Sequence, residues 1–318
     1  MTNCDYNTCF KGVDNISQDL LLNIMEANFK MYLDWAFLNI GAWMDAEIGN
    51  NTIYGVNKPS SLIAVNDPSY SDGRVWQGIR KDWVWEKNVA YGGSSPLDIS
   101  SVLLNNTTTV NKSGNFIVNY PLGRIIFNSP ISLNSKVDLD HSYKLVQVHR
   151  SSESPWFNLL QYSSLNTANQ DIKRTEDGEW AIGANHRIQL PAIVIESVPR
   201  SRSRPYEIGN SLLWIEQDIA FYVYAETKND RNKILDILRL QQDATLQLYD
   251  TNLVAQNDQF PLDYNGDIKS SPLMYPDLVQ SYPWRKCLIK NVSLFEIDSL
   301  HPNFHQGMVR ATLEIIST

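Results

Sequence analysis

Ile215-Glu-Gln-Asp-Ile-Ala-Phe-Tyr-Val-Tyr-Ala-Glu226, followed closely by Asn229-Asp-Arg-Asn-Lys-Ile-Leu-Asp-Ile-Leu238, changes its apolar period midway. In the first run Ile215, Gln217, Ile219, Phe221, Val223 and Ala225 share one face. Glu216, Asp218, Tyr222, Tyr224 and Glu226 share the other, as in a strand with one buried side. In the second, Ile234, Leu235 and Leu238 recur at helical spacing, with Asn229 as the expected cap and Asp230 in the first turn. Upstream, Ile188 to Ile195 reads as a strand, with Pro191 marking an edge or bulge. Downstream, Thr245 to Tyr249 is a short strand, and Cys287 to Ile297 is a longer one. Val309, Ala311, Leu313 and Ile315 alternate with Arg310, Thr312 and Glu314 in the last. The expected unit, residues 186–318, is β-β-α-β-β: an α+β domain whose sheet has one helix-covered face.

Outward from it, residues 166–185 form a Ser/Asn-rich linker, with Glu176-Asp-Gly-Glu179 as an exposed turn. Residues 1–165 are expected to hold an N-terminal helix and an antiparallel β-meander. Ser17 can cap a helix starting near Asp19, whose apolar face runs Leu21, Ile24, Met25, Phe29, Tyr32, Leu33, Ala36 and Ile40; Gly49 to Asn51 should end it. Residues 50–115, punctuated by Pro and Gly and anchored by Trp76, Trp83 and Trp85, read as short strands and loops. Phe116 to Tyr120, Pro121-Leu-Gly123 and Arg124 to Asn128 make a tight hairpin. Val137, Leu139, Tyr143 and Leu145 then alternate with Asp138, Asp140, Ser142 and Lys144, a strand with one wet face.

The chain has 318 residues, enough for two domains, and a formal net charge of −8. That balance disfavours a protein that coats nucleic acid. No stretch is apolar for long enough to span a membrane, so no membrane partner is expected. The start lacks the basic-then-apolar order of a secretory signal. Cys4, Cys9 and Cys287 are odd in number and lack metal-ligand spacing, so reduced thiols in a cytoplasmic fold are the default.

The chain offers little for catalysis. Gly92-Gly93 lacks the rest of a phosphate loop, and no Gly-x-Ser-x-Gly elbow occurs. His301 and His305 have helix-ligand spacing, but Pro302 separates them. Asp138 and Asp140 read as solubilising acids on a strand rather than a glycosidase pair. Asp263-Tyr-Asn-Gly-Asp267 lacks the later bidentate Glu of a calcium loop and reads as an Asx turn. We therefore expect no catalytic residue, metal site or cofactor.

Two features point to contact instead. Pro199-Arg-Ser-Arg-Ser-Arg-Pro205 sets Arg200, Arg202 and Arg204 at alternate positions between prolines. A solvated hairpin tip is the plainest reading; an acidic neighbouring subunit, or the phosphates of genomic DNA passing nearby, are the functional ones. The 250–284 loop carries Phe260, Tyr264, Tyr275, Tyr282 and Trp284, aromatic anchors of the kind that dominate interface energy.

Gly114-Asn-Phe-Ile-Val-Asn-Tyr-Pro-Leu-Gly-Arg-Ile-Ile-Phe-Asn128, with Tyr143 to Val148, resembles a meander of tailed-phage virion proteins. Phe221 to Thr227, Asp230 to Asp236, Ile289 to Val292 and Gly307 to Glu314 resemble tail-completion (tail terminator) proteins. The resemblance implies a virion structural protein, assembled in the host cytoplasm and not an enzyme. It implies a homo-oligomeric ring, expected hexameric, that caps the tail tube or sheath and joins it to the head connector. Another virion component (baseplate, sheath-associated or capsid-surface) is the alternative. A carbohydrate-binding module with Trp76, Trp83 and Trp85 as stacking platforms is a third.

Overall fold

A computed structural model describes residues 13, 15–49, 59–162, 172–175, 178–183, 186–206 and 213–317. The first helix, α1 (Leu21–Asn39), starts at Leu20 without a side-chain cap, so Ser17 does not serve as one. It ends well before Gly49, because Gly41 adopts φ +82°. The Gly41 N–H donates to Leu38 O at 2.9 Å and Ala42 N–H to Phe37 O at 3.0 Å, the paired bonds of a glycine-terminated helix end. The chain then enters a strand, β1 (Trp43–Ala46).

Short strands follow, as the punctuation of 50–115 predicts: β2 (Ser61–Ala64), β3 (Val75–Gln77), β4 (Ser101–Leu104) and β5 (Thr108–Asn111). The expected hairpin forms from β6 (Phe116–Asn119) and β7 (Arg124–Phe127), with Phe116 opposite Phe127 and Gly123 at φ +61°. The single strand expected over 137–145 is instead broken into β8 (Val137–Asp138) and β9 (His141–Lys144), and each serves a different sheet. A seven-stranded antiparallel sheet takes the order β5-β4-β8-β2-β3-β7-β6, while β9 pairs with β1. Of the residues expected on the wet face only Asp140 is exposed; Asp138, Ser142 and Lys144 are buried, as are His141 and Tyr143. Asp138 is held by Ser61 Oγ and, at 2.7 Å, by Lys136 Nζ.

The strand β10 (Gln147–Arg150) leaves the meander and joins the C-terminal sheet in parallel. It is followed by α2 (Pro155–Tyr162) and a small sheet of β11 (Ile172–Arg174), β12 (Trp180–Ile182) and β13 (His186–Ile188). The described part of the expected linker is thus structured, and Trp180 is fully buried in it. Glu176 and Asp177 lie outside the described residues.

The main sheet is completed by β14 (Ala192–Pro205), β15 (Leu213–Ala225), β16 (Thr245–Tyr249), β17 (Pro283–His301) and β18 (Phe304–Ser317), in the order β10-β14-β15-β18-β17-β16. The alternating residues Ile219, Phe221, Val223, Val309, Ala311, Leu313 and Ile315 form its apolar face. The helix α3 (Lys228–Arg239) covers that face through Ile234, Leu235 and Leu238, as its spacing predicts. Its cap is Thr227 rather than Asn229, the Thr227 side chain accepting from Asp230 N–H. A second helix, α1, lies on the same face through Met25, Phe29, Leu33 and Phe37, with the Phe29 and Phe221 rings 5.6 Å apart. The helix placed by the sequence with the meander does enter the meander's core, through Met31, Tyr32 and Trp35, and also builds the C-terminal one. Each such buried side chain contributes about 1.5–3 kcal/mol. The opposite face of the sheet is covered, near the start of β14, by α2 and the β11–β13 sheet, where Trp156, Phe157, Leu160 and Trp180 pack on Ala192, Val194 and Tyr224. This corrects the single helix-covered face expected. With these helices on a largely antiparallel sheet and a second antiparallel sheet beside it, the chain is α+β.

The 250–284 segment is not a loose insertion. It holds α4 (Thr251–Gln256) and α5 (Asp277–Ser281), and Leu262, Met274, Tyr275, Leu278 and Val279 complete the core of the seven-stranded sheet. Gly266 packs against Asn119, where a Cβ would lie 2.9 Å from Oδ1. Asp263 Oδ1 accepts from the Asn265 and Asp267 N–H groups, the expected Asx turn.

Candidate functional site

The far halves of β14 and β15 run beyond the part of the sheet that the helices cover. In β14 the burial falls from complete at Ala192–Ile195 to exposed along Arg200–Pro205. The arginine segment is thus the outer half of a long strand, pairing Ser201 with Gln217, Ser203 with Ile215 and Pro205 with Leu213, rather than a hairpin tip. Because side chains alternate, Arg202 and Arg204 project from the face that carries Glu216 and Trp214. At this end of the sheet that face is polar; it lies opposite α1 and α3, and α2 covers only its other end.

Its charges are partly satisfied within the chain. Asp218 is bound by Arg310 and accepts from Thr312 Oγ1 at 2.8 Å, and Arg200 approaches it at 3.9 Å. Burial works against the charged form of Asp218, but these partners outweigh it and hold the carboxyl below its usual range. Lys290 bridges Glu314 and Glu216, lying 3.5 Å from the latter. The Glu314 hydrogen bond raises the Lys290 ammonium above its ordinary value. All three acids, Asp218, Glu216 and Glu314, are therefore already engaged.

Next to this ladder two indoles form a cleft. A space of about 480 Å³ is lined by Trp214, Gln247, Trp284, Lys286 and Leu288. A second, of about 410 Å³, lies beside Arg202, Arg204 and Glu216 and shares Trp214. The Arg204 guanidinium lies 4.9 Å from the Trp214 ring centre, and that of Arg285 4.3 Å from Trp284. Tyr206 stacks on Trp214 with centroids 6.2 Å apart. The Trp214 indole N–H is shut off from water and lacks an acceptor among the described residues. Aromatic surfaces under guanidinium planes, with a lysine at the rim, suit an anionic partner that also offers apolar side chains.

The fold brings Arg200, Arg202, Arg204 and Trp284 to one end of one sheet, which their separation in sequence conceals. The other aromatic candidates fall elsewhere. Tyr275 is buried, its ring 5.2 Å from Trp35, and is a core residue rather than an anchor for a partner. Tyr282 is half-buried against the same core, while Phe260 is 41% and Tyr264 97% exposed. Sequence reading missed Trp214, Arg285 and Lys286. The available signal was Trp214 standing on the charged face of its strand.

The alternatives also meet the geometry. Trp76, Trp83 and Trp85 are 2%, 0% and 5% exposed, so none is a stacking platform for a sugar. His301 lies against Trp180, with ring centres 5.1 Å apart. No cluster of three or more His, Cys, Asp or Glu side chains suited to a metal occurs among the described residues. Nor is any described helix long and apolar enough to cross a membrane. Comparison with family models, curated proteins and solved structures finds no match.

Proposed function

We propose that this chain is a structural subunit of a tailed-phage virion, forming a homo-oligomeric ring at the neck that caps the tail and joins it to the head connector. Its work is binding, with no catalytic residue and no cofactor. The observation that carries this reading is an adjacency. The four segments that resemble tail-completion proteins fall on β15, α3, β17 and β18, which are neighbours in one helix-covered sheet. Strand patterns scattered over the sequence thus belong to one structural unit, which is what a resemblance of that kind requires.

The exposed arm and the indole cleft supply a docking end for the ring's neighbours, and an acidic protein partner suits it better than DNA on a chain of net charge −8. Ring subunits present two unlike surfaces, since a heterologous contact closes only when the rotation permits. Silencing the gene during infection tests the reading: filled heads and finished tails should accumulate unjoined. Normal particles under full silencing would overturn it.

A further inference from the structure

We propose that this chain associates head to tail with a second copy of itself, the outer edge of β17 at Leu294–Glu296 docking into the Trp214–Trp284 cleft of the next copy. The proposal rests on the homo-oligomeric reading above and names its interface. β16 pairs with β17 only from Pro283 to Leu288, so β17 forms the outer edge of the sheet from Asn291 onward. Along that edge Leu294 is 39% and Phe295 44% exposed, on opposite faces, and the Glu296 side chain is 74% exposed. An open edge with apolar side chains and no proline is a template for pairing unless something covers it.

The opposite edge of the sheet is built differently. The outer half of β14 carries Pro199, Pro205 and three arginines, the features that block strand addition. One edge is guarded and one is left open, which argues for a specific occupant of the open one.

Charge and reach identify that occupant. The cleft is rimmed by Arg202, Arg204, Arg285 and Lys286, whereas Lys290 already occupies Glu216 and Glu314. On a chain of net charge −8 this is a local basic site, and Glu296 beside two exposed apolar side chains is its chemical complement. One copy cannot fill its own cleft, because Lys286 and Phe295 are roughly 30 Å apart along one extended strand. Glu296 keeps a hydrogen bond from Arg231 at 3.1 Å and can still present its exposed carboxylate to a neighbour.

Sedimentation velocity of the full chain over a concentration series tests this. The wild type should form species larger than one chain. Phe295→Lys, Glu296→Arg and the pair Arg202→Glu/Arg204→Glu should each weaken association roughly tenfold or more, with unchanged circular dichroism. Combining Glu296→Arg with both arginine reversals should restore association, an effect that a misfolded variant could not give. Oligomers of unchanged strength in all the variants would overturn this interface while leaving a ring intact. A wild type that stays monomeric at every concentration would also overturn it, and would leave the neck reading to be judged by copy number in the particle.

Discussion

Lys144 Nζ lies 2.8 Å from Glu86 Oε1 in the interior, with both side chains almost fully shielded from water. Asp34 of α1 stands 3.4 Å from the same nitrogen and Asp82 3.8 Å, and the Trp85 ring lies 5.3 Å away. One ammonium thus ties α1 to β9 and the 82–86 segment. Burial works against the charged Lys144, but its three carboxylates overcome this and raise it above the ordinary lysine range. Removing it strands buried acids. We expect Lys144→Met to cost about 3–5 kcal/mol, measured by urea unfolding. A loss below about 1 kcal/mol, the scale of an exposed pair, would show that the network contributes little.

His141 gives the fold a pH dependence. It is 1% exposed, packs against Trp83 with ring centres 4.4 Å apart and planes tilted by 41°, and is lowered by burial to about 4. An unfolded histidine binds its proton near pH 6.5. The unfolded state therefore takes up a proton that the folded state refuses, and stability falls as pH drops from about 6.5 to about 4. Urea midpoints of the wild type should decline across that window. His141→Phe should decline less, by the slope of one proton; parallel slopes would show that His141 is not the group.

Arg200, Arg202 and Arg204 lie on an exposed half-strand. Arg200 reaches from solvent to the buried Asp218 only at 3.9 Å, where Arg310 and Thr312 already bind it, so the contact should be worth no more than an exposed pair. Such pairs contribute about 0–1 kcal/mol. Reversing all three to glutamate should leave the circular dichroism and the melting temperature nearly unchanged while preventing heads and tails from joining. Infectious particles at normal titre would reduce the arm to a solvated strand end.

The 274–282 segment should be protected even in the free chain. Leu278 N–H donates to Met274 O at 2.9 Å and Tyr282 N–H to Leu278 O at 3.0 Å, beneath core side chains. Hydrogen exchange there should be slow before assembly and unchanged by it. Fast exchange over 274–282 in the free chain would contradict its place in the core.

What the sequence revealed follows its local periodicity. The alternation of Ile215–Ala225 and the spacing of Ile234, Leu235 and Leu238 are local signals, and β15 and α3 formed where they predict. The Pro121-Leu-Gly123 turn is likewise local. Partnership between distant segments is not local. Lys144 alternates with apolar residues and so reads as solvated, yet its acids arrive from Asp34, Asp82 and Glu86. The partner of α1 and the burial of Tyr275 depend on similarly remote contacts, as does the convergence of Trp214 with Trp284. The arginine arm was legible as charge, but its place inside a strand was set by pairing with Leu213–Gln217.

The central claim is that many copies of this chain form a ring where head meets tail. The most direct measurement is the copy number and position of the chain in purified particles of the genome that encodes it, by quantitative mass spectrometry with electron cryomicroscopy of the neck. The account predicts a closed ring, six copies by the family resemblance, between the last tail ring and the head connector. A single copy per particle, or a ring found elsewhere in the virion, would contradict it.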